Sequence, residues 1–88
     1  MPYITPHDRD LIDEIPVGEI IPNNAGELNY IITRIIHQWL AWNGVNYTNL
    51  NAAVGVLDCA KMELYRQIAA PYEDEMKLKN GPVSDLDE

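Results

Sequence analysis

Residues 24–43 read NAGELNYIITRIIHQWLAWN, and this stretch decides the fold. Asn24, followed three residues later by Glu27, is a capping-box-like helix start. Behind it, large apolar residues recur in alternating steps of four and three, which places them on one face of a helix. Asn43-Gly44 then ends the pattern as helix C-caps do. We predict a helix over about 25–43, with a seam formed by Leu28, Ile32, Ile35, Trp39 and Trp42.

The apolar surface of this helix is wider than one seam, because Ile31, Ile36 and Leu40 extend it. A helix that is apolar over so much of its circumference buries two faces. One face can pack on the next helix of the chain, and the other calls for a second subunit. A chain of 88 residues with one cysteine also lacks a large core and an internal disulfide, so association is the common remaining means of stabilisation. We predict a homo-oligomer, a dimer or higher, with an interface formed by Ile31, Ile35, Trp39 and Trp42.

The next apolar pattern predicts a helix over about 49–70, which starts near Thr48 or Asn49. Gly55 lies inside it and costs about 1 kcal/mol relative to alanine, which predicts the close approach of a neighbouring helix. The connection over 44–48 is short, so the two long helices should be antiparallel neighbours.

Both ends of the chain predict shorter elements. Thr5 and Pro6 indicate a helix over about 6–15, and a proline-rich linker completes the segment 1–22. Pro71 breaks or kinks the third helix. Beyond it, acids followed by lysines predict a short helix over about 71–79, and residues 82–88 are expected to form a solvated acidic tail. The predicted fold is all-α: one domain over 1–88, in which an antiparallel helical hairpin carries a short helix at each end and forms a helical bundle in an oligomer.

The net charge of −8 is concentrated at the two ends. Residues 1–22 carry −4 and residues 82–88 carry −3, which leaves −1 for residues 23–81. Nucleic-acid backbones and anionic membrane surfaces are therefore not expected as partners. The single Cys59 fits a reducing compartment. No signal peptide or membrane-spanning stretch is recognisable, so we expect a cytoplasmic protein.

The sequence contains no recognisable catalytic or metal-binding motif. It has no glycine-rich phosphate loop, no His-Glu-x-x-His pair and no Cys/His cluster with zinc spacing. We therefore predict a protein that is not an enzyme, with no catalytic residue, no metal and no cofactor.

Candidate binding residues lie on the second and third helices and after them. Tyr30, Arg34 and His37 follow one another at i, i+4 and i+7, and such a strip can cradle an anionic or aromatic ligand. A solvated helix face is the alternative interpretation, and it stays open. Structural roles are likewise the alternative for the remaining candidates, which are Lys61, Tyr65, Arg66 and Tyr72.

Three stretches together resemble a known family. They are Ala25-Gly26-Glu27-Leu28-Asn29-Tyr30, residues 54–66, and Pro71-Tyr72-Glu73-Asp74. With the Met-Pro-Tyr-Ile start, they make the chain similar to a family of small proteins of about this length that bacteriophages and prophages encode and that have no assigned activity. Asn80-Gly81-Pro82-Val83 departs from the Asn-Gly-Asp-Val of that family. The resemblance implies a viral origin and a location in the host-cell cytoplasm.

Two functional hypotheses follow from these observations. The first is a phage-type binding protein that modulates a host or phage protein through protein–protein interaction, for example in an anti-defence role. The second is an oligomeric sponge that binds an anionic nucleotide second messenger at a subunit interface, through Arg34, Lys61, Arg66 and nearby tyrosines. The second hypothesis rests on analogy with other small helical phage proteins.

Overall fold

A computed structural model describes residues 4–87, which form helices and turns and no strand. The α-helices are α1 (Pro6–Asp13), α2 (Ala25–Asn43), α3 (Tyr47–Leu64) and α4 (Ala70–Asn80). A π-helical turn over Tyr65–Ala69 joins α3 to α4, and 3-10 turns occupy Val17–Glu19 and Asp85–Asp87. The prediction of an all-α fold is confirmed.

The helix starts are set by side-chain caps. Helix α2 has the predicted bounds, with Asn24 as its N-cap. Helix α3 begins two residues before the predicted position 49, because Asn46 accepts a hydrogen bond from the Asn49 backbone N–H at 2.9 Å and so caps it. Helix α1 ends at Asp13, two residues early, and the bond from Ile15 N–H to the Ile12 carbonyl tightens the chain before the following proline.

Pro71 neither breaks the helix nor leaves it as a regular α-helix. The N–H of Ala70 donates to the carbonyl of Tyr65, five residues earlier, which is the π-helical pattern. In a regular α-helix the proline ring would collide with the carbonyl of the residue four positions earlier. The wider π-helical turn is a recognised way of relieving that collision, so Tyr65–Ala69 connects α3 with α4 where the sequence predicted a kink or a break.

The chain divides into two compact units, one up to Val56 and one from Leu57 onwards. In the first unit the loop between α2 and α3 is closely tied. The N–H of Gly44, which has a positive φ of 110°, donates to Leu40 at 2.7 Å. The Asn49 side chain donates to the carbonyls of Asn43 at 3.1 Å and Gly44 at 2.9 Å. These bonds satisfy carbonyls that the end of α2 leaves free.

The core of the first unit is small. Ala53, which is 5% exposed, is the only buried residue between residues 4 and 87. Ile31, Ile36 and Leu40 of α2 are half-buried. Apart from the neighbouring backbone of its own helix, no atom of residues 4–87 lies within 4 Å of the position that a Cβ on Gly55 would take. The close helix approach predicted at Gly55 is therefore not made by the described residues.

In the second unit, the residues after α4 fold back on that helix. The Lys77 ammonium donates to the Asp87 carbonyl and lies 3.6 Å from the Asp87 carboxylate. The same carboxylate accepts from the Val83 N–H at 3.3 Å. Residues 82–87 are exposed, and hydrogen bonds and a 3-10 turn give them a defined path.

Candidate interaction surface

The predicted seam of α2 is the exposed face of that helix. Trp42 is 91% exposed, Ile35 54% and Trp39 40%, although burial of such side chains is a main source of folding free energy. The half-buried apolar side chains of α2 lie beside the seam rather than on it. We define the α2 seam as Leu28, Ile32, Ile35, Trp39 and Trp42, all of which are exposed.

An apolar cavity lies next to the seam, within the first unit. Its volume is about 210 Å³. Ile35, Ile36 and Trp39 contribute from α2, and Ala53 and Val56 contribute from α3. Trp39 and Ala53 lie on opposite sides of a short loop and reach the same cavity, so the end of α2 and the first half of α3 meet there. The antiparallel arrangement of the two helices stays a prediction.

The four predicted interface residues differ in their surroundings. Ile35 and Trp39 line the cavity, and Trp42 continues the exposed seam. Ile31 is half-buried, which gives it less surface to offer a partner.

The second predicted strip is exposed and lies on α2. Tyr30, Arg34 and His37 all have solvent-exposed side chains, and the unbroken helix places them on one face as the spacing predicted. Next to them, the Thr33 hydroxyl donates to the Asn29 side-chain oxygen at 3.1 Å. Both the ligand-binding and the solvated-face interpretation of this strip remain predictions.

The other candidate residues belong to the second unit. Lys61 lies on α3, Tyr65 and Arg66 lie in the π-helical turn, and Tyr72 lies on α4. Tyr65 lines a cavity of the second unit, whose volume is about 450 Å³. The charged residues that line this cavity are Glu73, Asp74, Lys77 and Asp87.

Sequence reasoning missed several residues that shape the surface. Ile36 and Val56 line the apolar cavity, and neither is among the predicted site residues. The pair Ala52-Ala53 could have indicated this cavity in the sequence, since small residues leave room beside large ones such as Trp39. The sequence predicts Asn49 only as a helix start. Its side chain also joins α3 to the end of α2.

The described chain contains no group of three His, Cys, Asp or Glu side chains placed to hold a metal ion. None of its helices combines the length and the apolar character needed to cross a bilayer.

Comparison with known proteins gives one match. A family model described as a domain of unknown function (DUF6899) matches residues 1–83. No curated protein and no solved structure matches the chain.

Proposed function

The chain belongs to the DUF6899 family, and we propose that it is a non-enzymatic binding protein that acts through protein–protein interaction. The observation that carries this proposal is the α2 seam, a row of large apolar side chains left exposed in the first unit. Contiguous apolar patches on a protein surface mark interaction sites. The seam also holds both tryptophans of the chain, and tryptophan is enriched among the residues that contribute most to interface affinity.

The cavity beside the seam supports a protein partner over a small molecule. Pockets for small ligands usually measure about 300–1,000 Å³ and combine apolar walls with a few polar groups. The cavity of about 210 Å³ between Ile35, Ile36, Trp39, Ala53 and Val56 is smaller and has apolar residues on every side. An apolar side chain from a partner helix suits it, as in complexes where a helix lays its apolar face into a groove.

We propose that the chain modulates the activity of a host or phage protein in the cytoplasm. The motif resemblance to small phage-encoded proteins and the lone Cys59 support this role. The acidic segments at residues 1–22 and 82–88 can add selectivity for a basic partner.

The cavity of the second unit does not supply the cationic site that the nucleotide alternative needs, since Arg34, Lys61 and Arg66 do not line it. Tyr65 lines it together with three carboxylates and one ammonium, from Glu73, Asp74, Asp87 and Lys77. Negative charge in excess opposes the binding of an anion there. In a thermal-shift screen with cyclic dinucleotides we expect an unchanged melting temperature, whereas a rise of several degrees at high ligand excess would favour the sponge.

A capture experiment tests the proposed function. The full-length chain, carrying an affinity tag, should retain a stoichiometric protein from bacterial lysate. Ile35→Asp places a charge on the seam and should abolish the capture, while Thr33→Asp adds the same charge at an exposed position off the seam of α2 and should preserve it. Equal capture by wild type and Ile35→Asp would contradict the proposal, as would the absence of any partner and of any self-association.

A further inference from the structure

The α2 seam is a row of large apolar side chains that remain exposed in the folded chain. We propose that a second copy of this chain covers it, so that the α2 helices of two copies pack antiparallel about a two-fold axis near Ile35. This inference rests on the proposed function, because it names the partner that binds at the same surface. The dimer is then the form that meets the modulated protein.

The spacing of the seam matches that of helices that pack on each other. Leu28, Ile32, Ile35, Trp39 and Trp42 alternate steps of four and three, so the row stays on one side of α2 over its whole length. Two such rows interdigitate as knobs into holes. A two-fold dimer presents the same surface from both subunits, so one seam supplies both halves of the contact.

The exposed area is of the size that a dimer contact uses. Aliphatic side chains present about 100–150 Å² and tryptophan about 250 Å², so the exposed parts amount to on the order of 500 Å² per copy. A stable interface buries about 800 Å² per partner, including a polar rim. More than half of that area is therefore present in six apolar side chains, namely Leu28, Ile32, Ile35, Trp39, Trp42 and Val56.

The charge distribution permits two copies of an acidic chain to meet here. The net charge is −8, yet residues 28–57 contain no Asp or Glu, and Arg34 is their one Lys or Arg. Contact through this stretch avoids the like-charge repulsion that would arise at the acidic ends. A partner chosen by charge would have little to recognise on the seam, whereas an identical apolar seam complements it.

The size gradient along α2 selects the antiparallel arrangement. Trp39 and Trp42 lie near its C-terminal end, while Ala25 and Leu28 lie near its N-terminal end. Antiparallel packing sets large side chains against small ones and keeps the helix axes at an even distance. It also places the positive end of each helix dipole beside the negative end of the other.

Light scattering on the full-length chain tests the dimer. Wild type and Thr33→Asp should have about 20 kDa, twice the 10.0 kDa of one chain, and Ile35→Asp should have 10.0 kDa with an unchanged far-ultraviolet spectrum. A wild-type mass of 10.0 kDa at tens of micromolar would overturn the dimer. If lysate capture by that monomer still depended on Ile35, the proposed function would stand alone. If there were no capture either, both would fail.

Cysteine cross-linking tests the arrangement without a disruptive charge. In a Cys59→Ser background, Leu28→Cys and Trp42→Cys are prepared separately, mixed and oxidised. Antiparallel packing predicts a cross-linked dimer from the mixture and none from either variant alone, since a disulfide needs Cβ atoms within about 3.5–4.5 Å. Cross-linking of Leu28→Cys by itself would overturn the antiparallel arrangement, and no cross-link in any sample would overturn the seam contact.

Discussion

At the residue scale, Asn24 and Glu27 fix the start of α2. The Asn24 side-chain oxygen accepts from the Glu27 N–H at 2.9 Å, and the Asn24 amide donates to the Glu27 carboxylate at 3.2 Å. That carboxylate also accepts from the Asn23 N–H at 3.1 Å. Two backbone donors at the helix start are thus satisfied by side chains three or four residues away. Because the bonds are so local, the sequence alone predicted this helix start.

Replacing Asn24 by alanine should weaken α2 at its first turn. Asn24→Ala removes the acceptor for the Glu27 N–H and should lower the free energy of unfolding by about 1 kcal/mol. Urea titration followed by circular dichroism measures this change. Asn24→Ser keeps a capping oxygen and should stay close to wild type. An equal loss in both variants would show that the cap is not the cause.

Asn49 acts over a longer distance than a cap. Its side-chain amide donates to two carbonyls at the end of α2, those of Asn43 and Gly44. Asn49→Ala leaves both carbonyls without this donor and should lower the free energy of unfolding by about 1–2 kcal/mol. Asn49→Asp should cost more, since a carboxylate would then face two carbonyl oxygens.

The matched control for Asn49 is Asn51→Ala. Asn51 lies two residues further along α3 and is exposed, so its replacement should change the free energy of unfolding by less than about 0.5 kcal/mol. Thermal or urea unfolding of the three variants side by side makes the measurement. Similar stability of Asn49→Ala and Asn51→Ala would contradict the proposed link between α2 and α3.

At the element scale, the sequence predicted the helix bounds that depend on apolar periodicity and on local caps. Helix α2 has its predicted bounds because cap, apolar spacing and Asn43-Gly44 all agree. Helix α3 was predicted to start near Thr48 or Asn49, whereas Asn46 provides its cap. Asparagine is an equally good cap at either position by composition alone.

The exposed and covered faces of α2 were harder to predict than its bounds. Helix α2 is apolar around much of its circumference, so the pattern does not say which side the same chain covers. Ile36 and Leu40 are half-buried, and the more regular row is left exposed. The cavity depends on Val56, whose position becomes clear only when α3 lies against α2. Of the residues predicted for the interface, Ile35 and Trp39 line that cavity.

The π-helical turn between α3 and α4 gives a prediction at the same scale. Pro71→Ala restores a backbone N–H and removes the ring that the turn over Tyr65–Ala69 accommodates. The segment should relax to a regular α-helix, with a gain of about 1–3 kcal/mol in the free energy of unfolding. Denaturant titration followed by circular dichroism measures it.

Pro82→Ala is the control, because Pro82 follows α4 and lies outside every helix. Its effect should be below about 0.5 kcal/mol. A loss of stability in Pro71→Ala would show that the proline ring stabilises the turn instead of straining it.

At the scale of the whole molecule, charge and apolar surface are separated along the chain. The net negative charge is concentrated in residues 1–22 and 82–88, while residues 28–57 contain no acid. The described residues include a single buried one, Ala53. A domain this small gains stability mainly when its exposed apolar surface is covered. Association is therefore expected to add to the stability of a fold that each chain forms by itself.

Melting temperature should consequently depend on protein concentration. If two chains fold as one dimer, each tenfold increase in concentration adds about 1.4 kcal/mol per dimer, which should raise the melting temperature by about 3–6 °C. Both tryptophans lie on the α2 seam, so dilution should shift their fluorescence to longer wavelength as Trp39 and Trp42 return to water. Calorimetry and fluorescence across a hundredfold dilution series make the measurement. A melting temperature and an emission maximum that are both independent of concentration would contradict association through the seam, whereas Thr33→Asp should behave as wild type does and Ile35→Asp should show neither dependence.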